Sequence, residues 1–90
     1  MKITNIASNM TEVRVNDNIA LLVSYSTPVA AHTFYSSTGH HYYKTNRWWS
    51  QTTTRHINKW LKLEGFPEVE DKDQKFFDII LEFEGKASIV

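Results

Sequence analysis

The sequence predicts an α+β fold: an antiparallel β-meander of three to five strands followed by two helices packed on one face of the sheet. Three observations carry this. Up to about Ser50, apolar and polar residues alternate along short segments, the period of half-buried strands. Beyond Ser50 the apolar residues recur at helical spacing. Ninety residues, 41% of them hydrophobic, suffice for one modest core, so residues 1–90 are read as a single domain.

The first strand candidate covers residues 3–6, and the second, 11–15, places Val13 and Val15 on one face with Glu12 and Arg14 on the other. Asn16, Asp17 and Asn18 form a turn, because Asn and Asp tolerate left-handed backbone and bond locally to it. A third strand follows at 19–25. Pro28 marks an edge or a bulge, since it has no N–H for the ladder, and extended structure resumes at 29–35. Ser36, Ser37, Thr38 and Gly39 make the next turn, with 40–44 as the returning strand. The sheet thus occupies about 3–50. A helix over about 52–63 points Ile57, Trp60 and Leu61 inward and Asn58, Lys59 and Lys62 outward, with Gly65 as its stop. Pro67 and the acidic residues to Asp71 read as a connection. Asp71 with Gln74 has the spacing of a capping box, and Phe76, Phe77, Ile80 and Leu81 form the apolar stripe of a second helix over about 71–84. Gly85 ends that helix and 86–90 is a loose tail.

Composition narrows the function classes. Three Trp, four Tyr and five Phe exceed what so small a core needs, so some rings belong to the surface. Cysteine is absent, which removes disulfide frameworks and thiolate zinc sites. There is no secretory apolar segment and no run long enough to span a bilayer, so a cytoplasmic location without a membrane partner is the expectation. Net charge is zero but unevenly spread. From His40 to Leu63 lie Lys44, Arg47, Arg55, Lys59 and Lys62 with no acid, whereas Glu64, Glu68, Glu70, Asp71, Asp73, Asp78, Glu82 and Glu84 follow against only Lys72 and Lys75. Two readings are open: the basic middle binds an anionic partner, or the two segments attract each other within the fold.

The stretch from Trp48 to Leu61 carries the most chemical information. Thr52, Thr53 and Thr54, followed by Arg55 and His56, open a helix, and a helix start has unpaired N–H groups and partial positive charge. Together with Arg47 and Lys59 they make a candidate seat for a phosphate or carboxylate. Ser and Thr are equally ordinary caps. Arg47, Trp48, Trp49, Arg55 and Lys59, near Tyr42 and Tyr43, also form a basic and aromatic group of the kind that stacks bases and holds phosphates. Against this, one of the adjacent tryptophans packs in the core and the other covers an edge.

No metal site is predicted. His40 and His41 point to opposite faces of a strand, and a four-residue loop at 36–39 would set Phe34 opposite His41 and His32 opposite Tyr43. No cofactor motif and no catalytic residues are assigned. Cleavage of RNA by His40, His41 or His56 with Tyr42 or Arg55 is the minor alternative, unsupported by a nucleophile elbow, a phosphate loop or a zinc helix motif. An apolar stripe left over on the last helix would serve a homodimer.

The segment from Ser24 through Tyr25, Ser26, Thr27, Pro28 and Val29 to Ala30 and Ala31, and that from Trp49 to Leu61, resemble a family of small, functionally uncharacterised phage-encoded proteins. In that family an aromatic-x-Thr-Pro-Val-Ala-Ala strand precedes a Ser-x-Thr-Thr-Ser-Lys-His-Ile-Asn-x-Trp-Leu helix start. The resemblance runs from about Ile3 to Leu63. Thr54 and Arg55 stand where Ser and Lys are usual, which keeps the hydroxyl and the charge; the acidic second helix and the Trp48 and Trp49 pair are less typical. The resemblance implies a phage setting and a host cytoplasm, and it brings no activity and no site residues. Two functional readings therefore stand side by side. One is a non-enzymatic module for nucleic acid or a phosphorylated nucleotide, sequestering a host signal. The other is an anti-defence inhibitor or adaptor of a host protein, with the acidic residues Asp78, Glu82 and Glu84 as a nucleic-acid mimic.

Overall fold

The structure, a computed structural model, describes residues 2–65 and 68–84, with side chains as far as residue 82. Five strands, β1 (Lys2–Ala7), β2 (Met10–Asn16), β3 (Ile19–Ser24), β4 (Thr27–Tyr35) and β5 (Gly39–Thr45), form an antiparallel meander. The helix α1 (Gln51–Leu63) then crosses over the sheet. A sixth strand, β6 (Val69–Lys72), pairs parallel with β5, and α2 (Gln74–Ile79) runs into a π-helical turn at Ile80–Glu84. The sheet therefore has six strands in sequential order and is not fully antiparallel, where three to five antiparallel strands were expected. Parallel pairing needs a long crossover, and α1 supplies it.

The second correction concerns the layers. Both helices were expected on one face, yet they cover opposite faces. On one side Ile57, Trp60 and Leu61 of α1 pack with Met10, Leu22, Ala30 and Tyr42, flanked by Ile6, Trp49 and Val69. On the other, Phe77 packs with Val13, Val15, Leu21 and Ala31, flanked by Tyr43, Phe76, Ile80 and Leu81. Ala20, Leu21 and Leu22 on β3, and Val29, Ala30 and Ala31 on β4, are buried consecutively. Unbroken apolar runs belong to strands covered on both sides, so the central strands require a helix on each.

Local chemistry accounts for the turns. Asn16 Oδ1 accepts from Asn18 N at 2.8 Å and closes the β2–β3 turn as expected. Pro28 faces Val23 while Ala30 faces Leu22, so Val29 is the extra residue of a bulge and Pro28 sits beside it. Tyr25, expected at the end of the third strand, lies in the β3–β4 turn with φ of +59°, and its N–H reaches Asn9 O at 2.7 Å. Gly39 has φ of +84° and already pairs with Tyr35, which shortens the loop to three residues. That single residue changes the whole register: Phe34 faces His40 and His32 faces Tyr42.

The second helix starts later than expected. Residues 69–72 are strand, with Lys44 opposite Asp71 and their side chains 3.9 Å apart. Asp73, not Asp71, is the N-cap, accepting from Phe76 N at 3.1 Å. Gln74 ties the layers together instead of capping. Its Oε1 accepts from Thr45 Oγ1 and from Trp49 Nε1, both at 3.0 Å, and its Nε2 donates to Pro28 O at 2.6 Å and to Asp78 Oδ1 at 3.1 Å. The expected elements at Pro67, Gly85 and 86–90 lie outside the described residues.

Trp60 and Phe77 are fully buried, each the largest fully buried side chain of its own layer. Trp60 also donates its indole N–H to Glu12 Oε1 at 2.9 Å, so Glu12 faces α1 and not solvent. Truncating either ring to Ala is expected to cost ~3–5 kcal/mol and to unfold most of the domain, checked by thermal and urea melts. A midpoint unchanged in either variant would show that its layer does not hold the sheet.

Candidate functional site

The loop from β5 into α1 places the expected basic and aromatic residues, and hydrogen bonding sorts them. Ser50 is the N-cap: its Oγ accepts from Thr53 N at 3.1 Å. Thr54 Oγ1 donates to Ser50 O at 3.1 Å. Thr53 is buried, with its hydroxyl 3.2 Å from Ser50 Oγ and 3.0 Å from Ser24 Oγ. Ser24 Oγ is in turn 2.8 Å from His56 Nδ1. One assignment satisfies all four groups: Ser50 donates to Thr53, Thr53 to Ser24, and Ser24 to an unprotonated Nδ1 of His56. Burial, and then the charge of Lys59, hold the His56 pKa below its usual value, which agrees with that tautomer.

The expected anion seat is therefore divided. Thr53, Thr54 and His56 each use a polar atom on the cap or on fastening α1 to the end of β3, and Thr54 stays exposed. Thr52, Arg55 and Lys59 remain exposed on α1. Trp49 is half-buried against the core beneath α1, its N–H held by Gln74, and the Arg47 guanidinium lies over its ring at 4.2 Å. Trp48, by contrast, is 73% exposed.

Beside Trp48 runs an open groove of about 210 Å³, lined by Lys44, Thr45, Asn46, Arg47, Trp48, Thr54, Ile57, Asn58 and Asp71. It unites three of the expected residues, Arg47, Trp48 and Thr54, with Lys44 and Asn58, which sequence reading did not single out. The signal for Asn58 was present, since Thr54 and Asn58 are one helical turn apart and stack on one face. Arg55 and Lys59 form the neighbouring row on the same helix. Asp71 enters only because β6 pairs with β5, and it partly neutralises Lys44.

A second polar cluster lies on the α1 side of the sheet beyond the end of that helix, and it joins His32 and His40, which the expected register kept apart. His32 stacks on Tyr42, centroids 4.3 Å apart at 4°, and its Nε2 is 2.8 Å from His40 Nδ1. Its Nδ1 is 3.7 Å from Glu64 Oε2. Burial, then His40 and Arg14, lower the His32 pKa. Burial raises that of Glu64, followed by a hydrogen bond and charge repulsion from Glu12, against the pull of Arg14. Tyr42, whose hydroxyl donates to Glu64 O at 3.2 Å, is raised by burial and by Glu64. Next to this cluster is a groove of about 380 Å³ lined by Arg14, Asp17, Asn18, His32, Phe34 and His40. Among the described residues, no three His, Cys, Asp or Glu side chains gather closely enough to enclose a metal ion, and no helix is long and apolar enough to cross a membrane.

Compared with known proteins, residues 1–78 match the model of a family of unknown function, DUF8033. The chain belongs to that family. The comparison with curated proteins and that with solved structures gave no match.

The hydroxyl relay gives His56 a signed pH dependence. Its folded-state pKa lies below the usual 6.5, so its contribution to stability is whole above that value and is lost as pH falls through the folded pKa. Urea midpoints of the wild type and of His56→Asn, compared at pH 7.5 and pH 5, are expected to show a smaller pH loss in the variant. Equal losses would mean that folding leaves the His56 pKa where it is in the unfolded chain.

Proposed function

We propose that this chain is a non-enzymatic binding protein that engages single-stranded nucleic acid or a phosphorylated nucleotide on the surface around Trp48. The exposure of Trp48 carries the reading. A large ring held in water at the rim of a groove, with Lys44 and Arg47 beside it, supplies a stacking platform and cations for phosphate. Thr54 and Asn58 offer hydrogen bonds along the same groove, and Arg55 and Lys59 extend the positive surface along α1. The buried hydroxyl of Thr53 is left out of the ligand set. The resemblance to phage-encoded proteins supports a phage origin, with the host cytoplasm as the place of action and a host nucleic acid or nucleotide signal as the target.

Fluorescence titration of oligonucleotides, mononucleotides and cyclic dinucleotides at two salt concentrations tests this. Base stacking on an aromatic ring is worth ~1–3 kcal/mol, so Trp48→Ala is expected to weaken binding by about fivefold or more while leaving the melting temperature unchanged. Arg47→Ala and Arg55→Ala should weaken it less and flatten the salt dependence. A wild type that binds none of these ligands would overturn the reading. The surface would then pass to a protein partner, for which an exposed Trp flanked by Arg is the usual anchor.

A further inference from the structure

The register of β4 against β5 sets His32 and His40 on the same face of the sheet as diagonal neighbours, since His32 faces Tyr42 and Phe34 faces His40. Their facing nitrogens, His32 Nε2 and His40 Nδ1, are 2.8 Å apart, and the ring centroids are 5.0 Å apart. Tyr42 stacks flat on His32 and fixes the plane of its ring. On the far side of that ring, Glu64 Oε2 stands 3.7 Å from Nδ1. At that distance the carboxylate makes no hydrogen bond, but its charge favours a proton on Nδ1 and so leaves Nε2, which points at the second imidazole, as the nitrogen free to bind. His40 is exposed, and the groove lined by Arg14, Asp17, Asn18 and Phe34 gives access.

We propose that His32 Nε2 and His40 Nδ1 chelate a divalent first-row transition-metal ion, Cu²⁺ or Ni²⁺, in place of the proton they now share. The two nitrogens are within hydrogen-bond distance, and turning the exposed His40 ring brings both lone pairs onto one ion at about 2.0–2.1 Å. Imidazole pairs bind Ni²⁺ and above all Cu²⁺ more tightly than the earlier first-row ions, and Cu²⁺ more tightly than Zn²⁺. Arg14 opposes the charge of the ion, and the Glu12 and Glu64 carboxyl groups on the same face offset it. With two protein ligands, the remaining coordination positions go to water or to a small anionic ligand in the groove.

Calorimetric titration of the tag-free chain with CuCl₂, NiCl₂ and ZnCl₂, joined to electron paramagnetic resonance of the Cu²⁺ complex, tests the proposal. Binding of one ion is expected, with hyperfine coupling to two imidazole nitrogens and with Cu²⁺ bound more tightly than Zn²⁺. His40→Gln and His32→Gln should each lose tenfold or more in affinity. His41→Gln should keep wild-type affinity, because His41 lies on the opposite face, hydrogen-bonded to Thr38. If His32→Gln fails to fold, the exposed His40→Gln decides alone. Failure of the wild type to bind Cu²⁺ and Ni²⁺, a single coordinated nitrogen, tighter binding of Zn²⁺ than of Cu²⁺, or equal losses in His40→Gln and His41→Gln would each overturn the assignment.

Discussion

Burial of the two central strands on both faces is the constraint from which the rest of this fold follows. Three consecutive apolar residues in β3 and three in β4 leave no side of the sheet that water can cover without cost. Two short helices must then serve two faces. The chain meets this by crossing over with α1, adding β6 in parallel and bringing α2 back on the opposite side. A meander with both helices on one face would leave Leu21, Ala31 and their neighbours exposed.

Side chains with more than one hydrogen-bonding partner then fix how the layers meet. Gln74 holds Thr45, Trp49, Pro28 and Asp78 at once, so the start of α2, the bulge of β4 and the loop before α1 are positioned together. Ser24 does the same from the end of β3, binding Thr53 and His56 of α1. Between these anchors the loop at Arg47 and Trp48 has its direction set from both ends. With Trp49 held inward by Gln74, Trp48 is turned out beside Lys44. The surface proposed for ligand binding is thus a by-product of how the helices are fastened.

Register has the same authority at the other end of β5. One fewer loop residue, permitted by the positive φ of Gly39, exchanges every cross-strand pair between β4 and β5. In the register expected from a four-residue loop, His32 and His40 are strangers. In the observed one they touch. Likewise, pairing Lys44 with Asp71 turns part of the apparent charge polarity into an internal contact, so the basic segment is less free than its sequence suggests. What survives as exposed basic surface is Arg55, Lys59 and Lys62 on α1 together with Arg47 in the loop.

The sequence by itself determined the strand and helix periods, the turn at Asn16, an edge or bulge at Pro28, and the inward positions of Ile57, Trp60 and Leu61. These are local properties, set by residue spacing, backbone preference and capping chemistry over a few positions. Consecutive buried residues in β3 and β4 were also readable, but the alternation of β2 dominated the reading and hid the need for a second layer. Only the tertiary structure decided that residues 69–72 would be strand, because an acidic tetrapeptide has little strand preference until β5 offers it a ladder and a lysine. It also decided which hydroxyls of the Thr run are spent within the fold, and that His32, His40 and Glu64 converge. Those outcomes depend on contacts between residues far apart in the chain, set by a loop length of one residue more or less, and no local pattern encodes them.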